Sequence, residues 1–263
     1  MAFQIRNFDN DTRKLVNRMG NFSVYEYSRD LSVSPSNAMN EYFMGKMDVK
    51  RRQVVVSLNG NAVALQAGAM QWMAGNIEAS TGVKGVGDFF GKMVKGAVTN
   101  ESAVKPEYVG NGILVLEPTY KYIILQEVSS WQGGLAVEDG MFLACDSTVQ
   151  RNVVSRKSVS SALAGGEGLF NLCFNGAGTV ALESNVPFEE LVEVELNNDV
   201  LKIDGSLAVA WTASLQFTVE RSTKSLIGSA ASGEGLVNVY RGTGKVLMSP
   251  VAPTSSLHAA TNS

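Results

Sequence analysis

The sequence predicts an all-β protein with two or three short helices, arranged as three similar β-lobes around a pseudo-threefold axis. Three observations carry that expectation. DGMFLACDSTVQ, from Asp139 to Gln150, is nearly repeated as DGSLAVAWTASLQ, from Asp204 to Gln216. Short runs rich in Val, Ile, Leu, Phe and Tyr recur between turn signals, and the punctuation is glycine, with 26 residues against 6 prolines. Helical periodicity is confined to two short stretches.

The first helix is expected in SPSNAMNEYFMGKM. There Ser34 can cap, Pro35 suits the first helical position, Gly45 can stop the helix, and Ala38, Met39, Tyr42 and Phe43 form an i, i+1, i+4, i+5 stripe. QVVVSLNG then reads as a strand. The second helix is expected over Asp88 to Val98, with Asp88 as cap, Phe89, Phe90, Met93, Val94 and Ala97 on one face, and Lys92 and Lys95 on the other. Gly91 and Gly96 weaken it. GNGILVLEP and YKYIILQEV follow as strands. LVEVELNNDVLKIDG alternates apolar with acidic residues and contains an Asn-Asn-Asp run, which predicts strand, turn, strand.

Aligning the opening pair sets Asp139 and Gly140 on Asp204 and Gly205, then Ala144, Val149 and Gln150 on Ala210, Leu215 and Gln216, one residue having been gained after the turn. A second shared element follows in each copy, GEGLFNLCFNGAG from Gly166 and GEGLVNVYRGTG from Gly233. A fainter third copy sets Gly68, Ile77 and Glu78 on Gly140, Val149 and Gln150, with GNGILVLEP from Gly110 as its second element. Each copy needs its neighbours to bury its second face, so residues 1–252 are expected to be one domain. In it, residues 1–50 wrap repeats of about 51–130, 131–195 and 196–252, and residues 253–263 form a flexible tail.

Composition excludes several classes. The formal net charge is −3 and the pI about 5.4, so no overall basic field attracts a polyphosphate, and nucleic acid is not the expected partner. No run approaches the ~18 apolar residues of a spanning helix, and MAFQIRNFDNDTRK has no apolar signal core, which points to a cytoplasmic protein that is not transmembrane. Cys145 and Cys173 sit in apolar strand-like runs and read as buried structural thiols. The only histidine, His258, lies in the Ser/Thr/Ala-rich tail, so a histidine base or histidine-rich metal site is not expected.

MDVKRRQVVVSLNG, LQAGAMQWMAGNIE, VTNES, KPEYVGNGILVLEPTYKYIIL, GGEGLFNL, KIDGSLAVAW and SGEGLVNVYRGTG together resemble the AIM24 family, from about Met47 to Val251. The resemblance implies an all-β fold of three lobes of double-stranded β-helix type. That fold is related to the barrel of the tryptophan RNA-binding attenuation protein (TRAP) and grouped with Tubby-like domains. Eukaryotic members are mitochondrial and associated with inner-membrane organisation. This chain differs in its long N-terminal extension and lacks a transit peptide, so that role is not carried over. The family supplies no catalytic residues.

The glycine-rich stretches lack P-loop and dinucleotide-fold spacing. Hairpin turns explain Gly68, Gly140, Gly205, Gly176, Gly178, Gly242 and Gly244 more simply, and Gly166 and Gly233 belong to equivalent turns carrying Glu167 and Glu234. Glu189, Glu190, Glu193 and Glu195 read as a solvated strand face rather than an acid/base pair. Lys50, Arg51 and Arg52, with Arg156 and Lys157 and interleaved with Tyr25 and Tyr27, are the residues an RNA patch would use. Lys92 and Lys95 are the candidate surface-binding residues. The expected function is non-catalytic binding or scaffolding on a protein or lipid-headgroup surface, without a cofactor or metal, by a monomer or small homo-oligomer. The alternatives are TRAP-like RNA binding and an unrecognised hydrolase.

Overall fold

The computed structural model describes residues 3–80, 105–155, 170–204, 207–221 and 236–251. Expectations for Gly166, Gly205 and Gly233, for the Asp88 to Val98 helix with Lys92 and Lys95, and for Arg156, Lys157 and the tail lie outside the described residues. The chain is mostly strand. An N-terminal hairpin, β1 (Arg13–Met19) and β2 (Phe22–Tyr27), leads to α1 (Ala38–Lys46). Then come β3 (Arg52–Leu65), β4 (Met70–Ser80), β5 (Glu107–Leu116), β6 (Tyr122–Glu127), β7 (Leu135–Val137), β8 (Phe142–Asp146), β9 (Gln150–Ser155) and β10 (Phe170–Asn175). β11 (Thr179–Ser184), β12 (Val192–Asp204), β13 (Ala208–Thr212), β14 (Gln216–Arg221) and β15 (Leu236–Met248) complete the chain. One sheet runs β1-β2-β3-β8-β11-β6, with β5 also on β3 and β4 on β5; the other runs β12-β15-β13-β7-β10-β9, with β14 on β15.

Strand register repeats in detail. Leu114 faces Met73, Val180 faces Cys145 and Val246 faces Trp211; after a register shift in each pair, Leu116 faces Met70, Leu182 faces Phe142 and Met248 faces Ala208. Leu114, Val180 and Val246 are 66 residues apart and fully buried. The same spacing relates the buried aromatics Tyr108, Phe174 and Tyr240, which face Val63, Leu135 and Leu201. Inside the ladders the spacing from the second set to the third is 66, because Gln150 faces Asn175 where Gln216 faces Arg241. The GEG elements stand 67 apart, so one residue is absorbed before the ladders begin.

Adjacent sets are joined by further ladders, Ala64 facing Cys145 on β3–β8 and Ala136 facing Trp211 on β7–β13. The corresponding ladder from β12 to β4 is not among those of the described residues. Buried apolar residues form three clusters, centred on Val56 and Leu114, on Phe142 and Phe174, and on Trp211 and Tyr240. Trp211, Phe142, Leu143, Cys145 and Cys173 are all in the core, as the strand phase predicts.

The glycines differentiate two kinds of position. Gly68 and Gly140 take positive φ in turns just before β4 and β8, with open space where a Cβ would stand. Gly110, Gly176 and Gly242, again 66 apart, and Gly178 and Gly244 also have positive φ, but Gly176, Gly178, Gly242 and Gly244 do not close the hairpins expected of them. β10 lies on β9 and β11 on β8, while β15 lies on β14 up to Arg241 and on β13 from Val246. At Gly176–Gly178 and Gly242–Gly244 the chain changes partner, whereas β5 keeps β4 and β3 through Gly110–Gly112, where the missing Cβ atoms let the β4 backbone approach closely.

Two local expectations are corrected. Asn197-Asn198-Asp199 does not turn the chain: β12 runs through it, with Leu196 facing Gly244, Asp199 facing Gly242 and Asn198 at φ +53. It is a bulge, and Asn tolerates that conformation in a bulge as well as in a turn. The first helix is shifted from its expected bounds; among the described residues it is the one α-helix. It begins at Ala38, past Ser34 and Pro35, with Asn37 in the cap position but making no side-chain cap hydrogen bond; it runs through Gly45 and buries none of its residues.

Burial pushes the Cys145 and Cys173 thiols up to about 11. Because the thiolate is the reactive form, both should resist an alkylating reagent at pH 7.5 in the folded protein and react in denaturant. Mass spectrometry of the labelled protein checks this, and rapid native labelling at either thiol would contradict it.

Candidate functional site

Lys50, Arg51 and Arg52 enter β3 where the N-terminal hairpin, α1 and the start of β6 meet. Alternation along an extended backbone sends Arg51 and Arg52 to opposite sides, and each side holds a cleft. On the Arg51 side the cleft is about 500 Å³ and is lined by Asp30, Leu31, Glu41, Tyr42, Lys46 and Tyr120, among others. On the Arg52 side it is about 650 Å³, between β1 and β6, with Val16, Met19, Glu26, Tyr122 and Phe188 in its walls.

The charges are internally matched. Arg51 Nη1 lies 2.9 Å from Asp30 Oδ2, its Nε donates to Tyr120 Oη at 2.8 Å, and that hydroxyl donates to Glu41 Oε1 at 2.7 Å. Arg52, only 4% exposed, pairs with Glu26 at 2.8 Å and with Asp48 at 3.4 Å, and its guanidinium lies 3.8 Å from the centre of the Tyr122 ring. Lys50 bridges Glu26 and Asp48. The hydrogen bond from Lys50 holds the Asp48 carboxyl below its usual range, and burial raises the Tyr120 and Tyr122 hydroxyls. Both tyrosines stay protonated at neutral pH and serve as donors, and neither is poised as a base.

The sequence picked out the three basic residues but not their use. They are drawn into ion pairs with Glu26, Asp30, Glu41 and Asp48, so they do not form the free cationic stripe that RNA binding requires. Tyr25 and Tyr27 are likewise engaged: Tyr25 packs edge-on against Phe8, and the Tyr27 hydroxyl donates to Gln53 while accepting from Arg13. Tyr120 and Tyr122 were missed. Their only sequence signal is the Y-x-Y alternation after Pro118, which places both on the approach to one strand.

The apolar stripe of α1 faces outward. Met39, Tyr42 and Phe43 are 73%, 59% and 60% exposed, and Met47, just beyond the helix, is 77% exposed. Glu41 is the residue that α1 turns inward, toward Tyr120 and Arg51. Among the described residues there is no cluster of three metal-ligating side chains, and no helix is long and apolar enough to cross a membrane.

Comparison with known proteins agrees with this architecture. The chain is 31% identical over 196 residues to the uncharacterized protein M6_Spy0233 of Streptococcus pyogenes serotype M6, an alignment covering 72% of this chain and 76% of that protein. It is similar in structure to protein SPYM3_0169 from Streptococcus pyogenes, solved by X-ray crystallography, with a TM-score of 0.58 and 24% identity over 81% of this chain and 94% of the other. That likeness shows the fold. The family profile described as "Mitochondrial biogenesis AIM24" matches residues 47–251, and the chain belongs to the AIM24 family.

Proposed function

We propose that the protein is a non-catalytic binding or scaffolding module that recognises a protein or lipid-headgroup surface, its strand sets forming three TRAP-like lobes around a pseudo-threefold axis. The recurring registers and the two ladders between sets support the three-lobe arrangement. The observation that carries the functional reading is the exposed apolar face of α1. It stands beside a cleft whose charged side chains are already paired, so what remains for a partner is Met39, Tyr42, Phe43 and Met47. Contiguous exposed apolar side chains rimmed by polar ones mark interaction surfaces. The matched ion pairs disfavour RNA.

The test is purification of the native complex from its own cell, with mass spectrometry of proteins and lipids, for the wild type and for Met39→Ser/Tyr42→Ser/Phe43→Ser. All three side chains are exposed, so thermal stability should change by no more than about 1 kcal/mol. A protein or lipid recovered with the wild type should fall at least tenfold with the variant. Equal recovery would refute a role for α1. Flotation of the purified protein with anionic and neutral vesicles separates a lipid surface from a protein one.

A further inference from the structure

The repeated register makes three strand edges equivalent, and the chain treats them differently. In the first set, β3 carries β5 on one side and β2 on the other: Phe22 faces Val56, Val24 faces Val54 and Glu26 faces Arg52. Val56 faces Leu114, Gln126 faces Val180 and Val194 faces Val246, so β6 and the first part of β12 are the counterparts of the strand that β2 covers. β6 is approached by β1 across the cleft lined by Val16, Asn17 and Met19. The N-terminal hairpin thus attends to two of the three edges. The third, Val192–Leu196 of β12, pairs with β15 and with no other strand among the described residues.

That edge is exposed and acidic. Val192 is 43% exposed, Glu193 and Glu195 are exposed, and Phe188, Glu189 and Glu190 lead into it on the surface. Glu193 pairs with Lys245 at 3.2 Å, whereas Glu189, Glu190 and Glu195 have no ion-pair partner among the described residues. Counting back from Val194 as from Val56, the position of Arg52 falls on Glu190, in the 3-10 turn Phe188–Glu190 that leads into β12, so the charge at the start of this edge is reversed.

We propose that the β12 edge is a docking site for an extended, basic segment of a partner protein, added as an antiparallel strand. The occupant runs along β12 as β2 runs along β3, with apolar side chains opposite Val194 and Val192, lysine or arginine opposite Glu193 and Glu195, and further basic residues within reach of Glu189 and Glu190 in the turn before the strand. Main-chain hydrogen bonds to an open edge supply affinity and alternate side chains supply specificity. A second copy of this chain does not fit: two β12 edges paired antiparallel would place glutamates against glutamates, and like charges across a ladder are destabilising. The proposal extends the binding reading to a surface remote in sequence from α1.

The probe is the synthetic peptide Lys-Phe-Lys-Val-Lys-Val-Lys, capped at both ends, titrated into the full chain by calorimetry, with amide hydrogen exchange read with and without it. Binding should be at least tenfold tighter than for the same peptide with glutamate in place of lysine. Glu190→Lys/Glu195→Lys should weaken it at least tenfold, and added peptide should slow exchange in Val192–Leu196. The α1 variant should bind the peptide as the wild type does, so failure at one surface is distinguishable from failure at the other. No binding, or binding without protection of Val192–Leu196, leaves the glutamates as guards against edge-to-edge pairing and overturns the proposal. So does a concentration-dependent dimer that itself protects those amides, because the occupant is then a second copy.

Discussion

Trp211→Ala should lower stability by about 3–5 kcal/mol, through lost burial of the indole and the cavity left behind. Trp211 is 3% exposed and sits where two elements of the design cross. On one side of its ladder it faces Val246 of its own strand set; on the other it faces Ala136 of the preceding one. Its ring packs with Phe217 at 6.1 Å and edge-on to Tyr240 at 5.4 Å between centroids. Removing it therefore unseats an aromatic cluster and a junction between sets together, and the surrounding strands are held by ladders that limit collapse into the void. Chemical denaturation should show a lower midpoint at nearly unchanged slope. A loss under about 1 kcal/mol, on the scale of surface substitutions, would contradict the packing described for the third cluster.

Much of the fold was legible because the signals that specify it are local and periodic. The burial of Phe142, Cys145 and Trp211 follows from unbroken apolar runs of strand length, FLAC and LAVAW, and the first equivalence between sets follows from one repeated dodecapeptide. Gly176–Gly178 and Gly242–Gly244 were visible as glycines but not as places where the chain changes partner, because positive φ serves a turn and a bend equally and only the ladders separate them. Asn198 was misread for the same reason. At α1 the periodicity identified a face without its destination: spacing says that Met39, Tyr42 and Phe43 point together, and nothing in it says what lies on that side.

The candidate site was the least legible part. Lys50, Arg51 and Arg52 are adjacent in the chain, whereas Glu26, Asp30, Glu41 and Tyr120 come from the hairpin, the following loop, α1 and the approach to β6. A run of basic residues looks like free charge until the long-range contacts that neutralise it are known. The open edge of β12 is similar: the alternation of Glu193 and Glu195 with valines announced a solvated strand, but its equivalence to the edge that β2 covers exists only in the register.

Gly110→Ala should cost about 3 kcal/mol, roughly twice or more the effect of Gly68→Ala, and the contrast tests the close approach of β4 to β5 at Gly110. Both glycines have positive φ, +142° and +80°, so both substitutions carry backbone strain of about 1–2 kcal/mol. They differ in what a methyl group meets. At Gly68 nothing lies within 4 Å, whereas at Gly110 the new Cβ would stand 2.1 Å from the Asn76 carbonyl oxygen and 3.0 Å from the Ile77 Cα. These are backbone atoms of β4, laddered to β5 over ten residue pairs from Met70 to Ser80, so they cannot rotate away as a side chain would. Relief requires β4 to separate from β5 beside Gly110, where Ile77 reaches the first core cluster. Slowed recovery of the hydrogen-exchange pattern is not needed to see this: denaturant midpoints of the two variants suffice. Equal midpoints would mean that β4 does not approach Gly110 as closely as the structure shows, and that the ladder tolerates a side chain there.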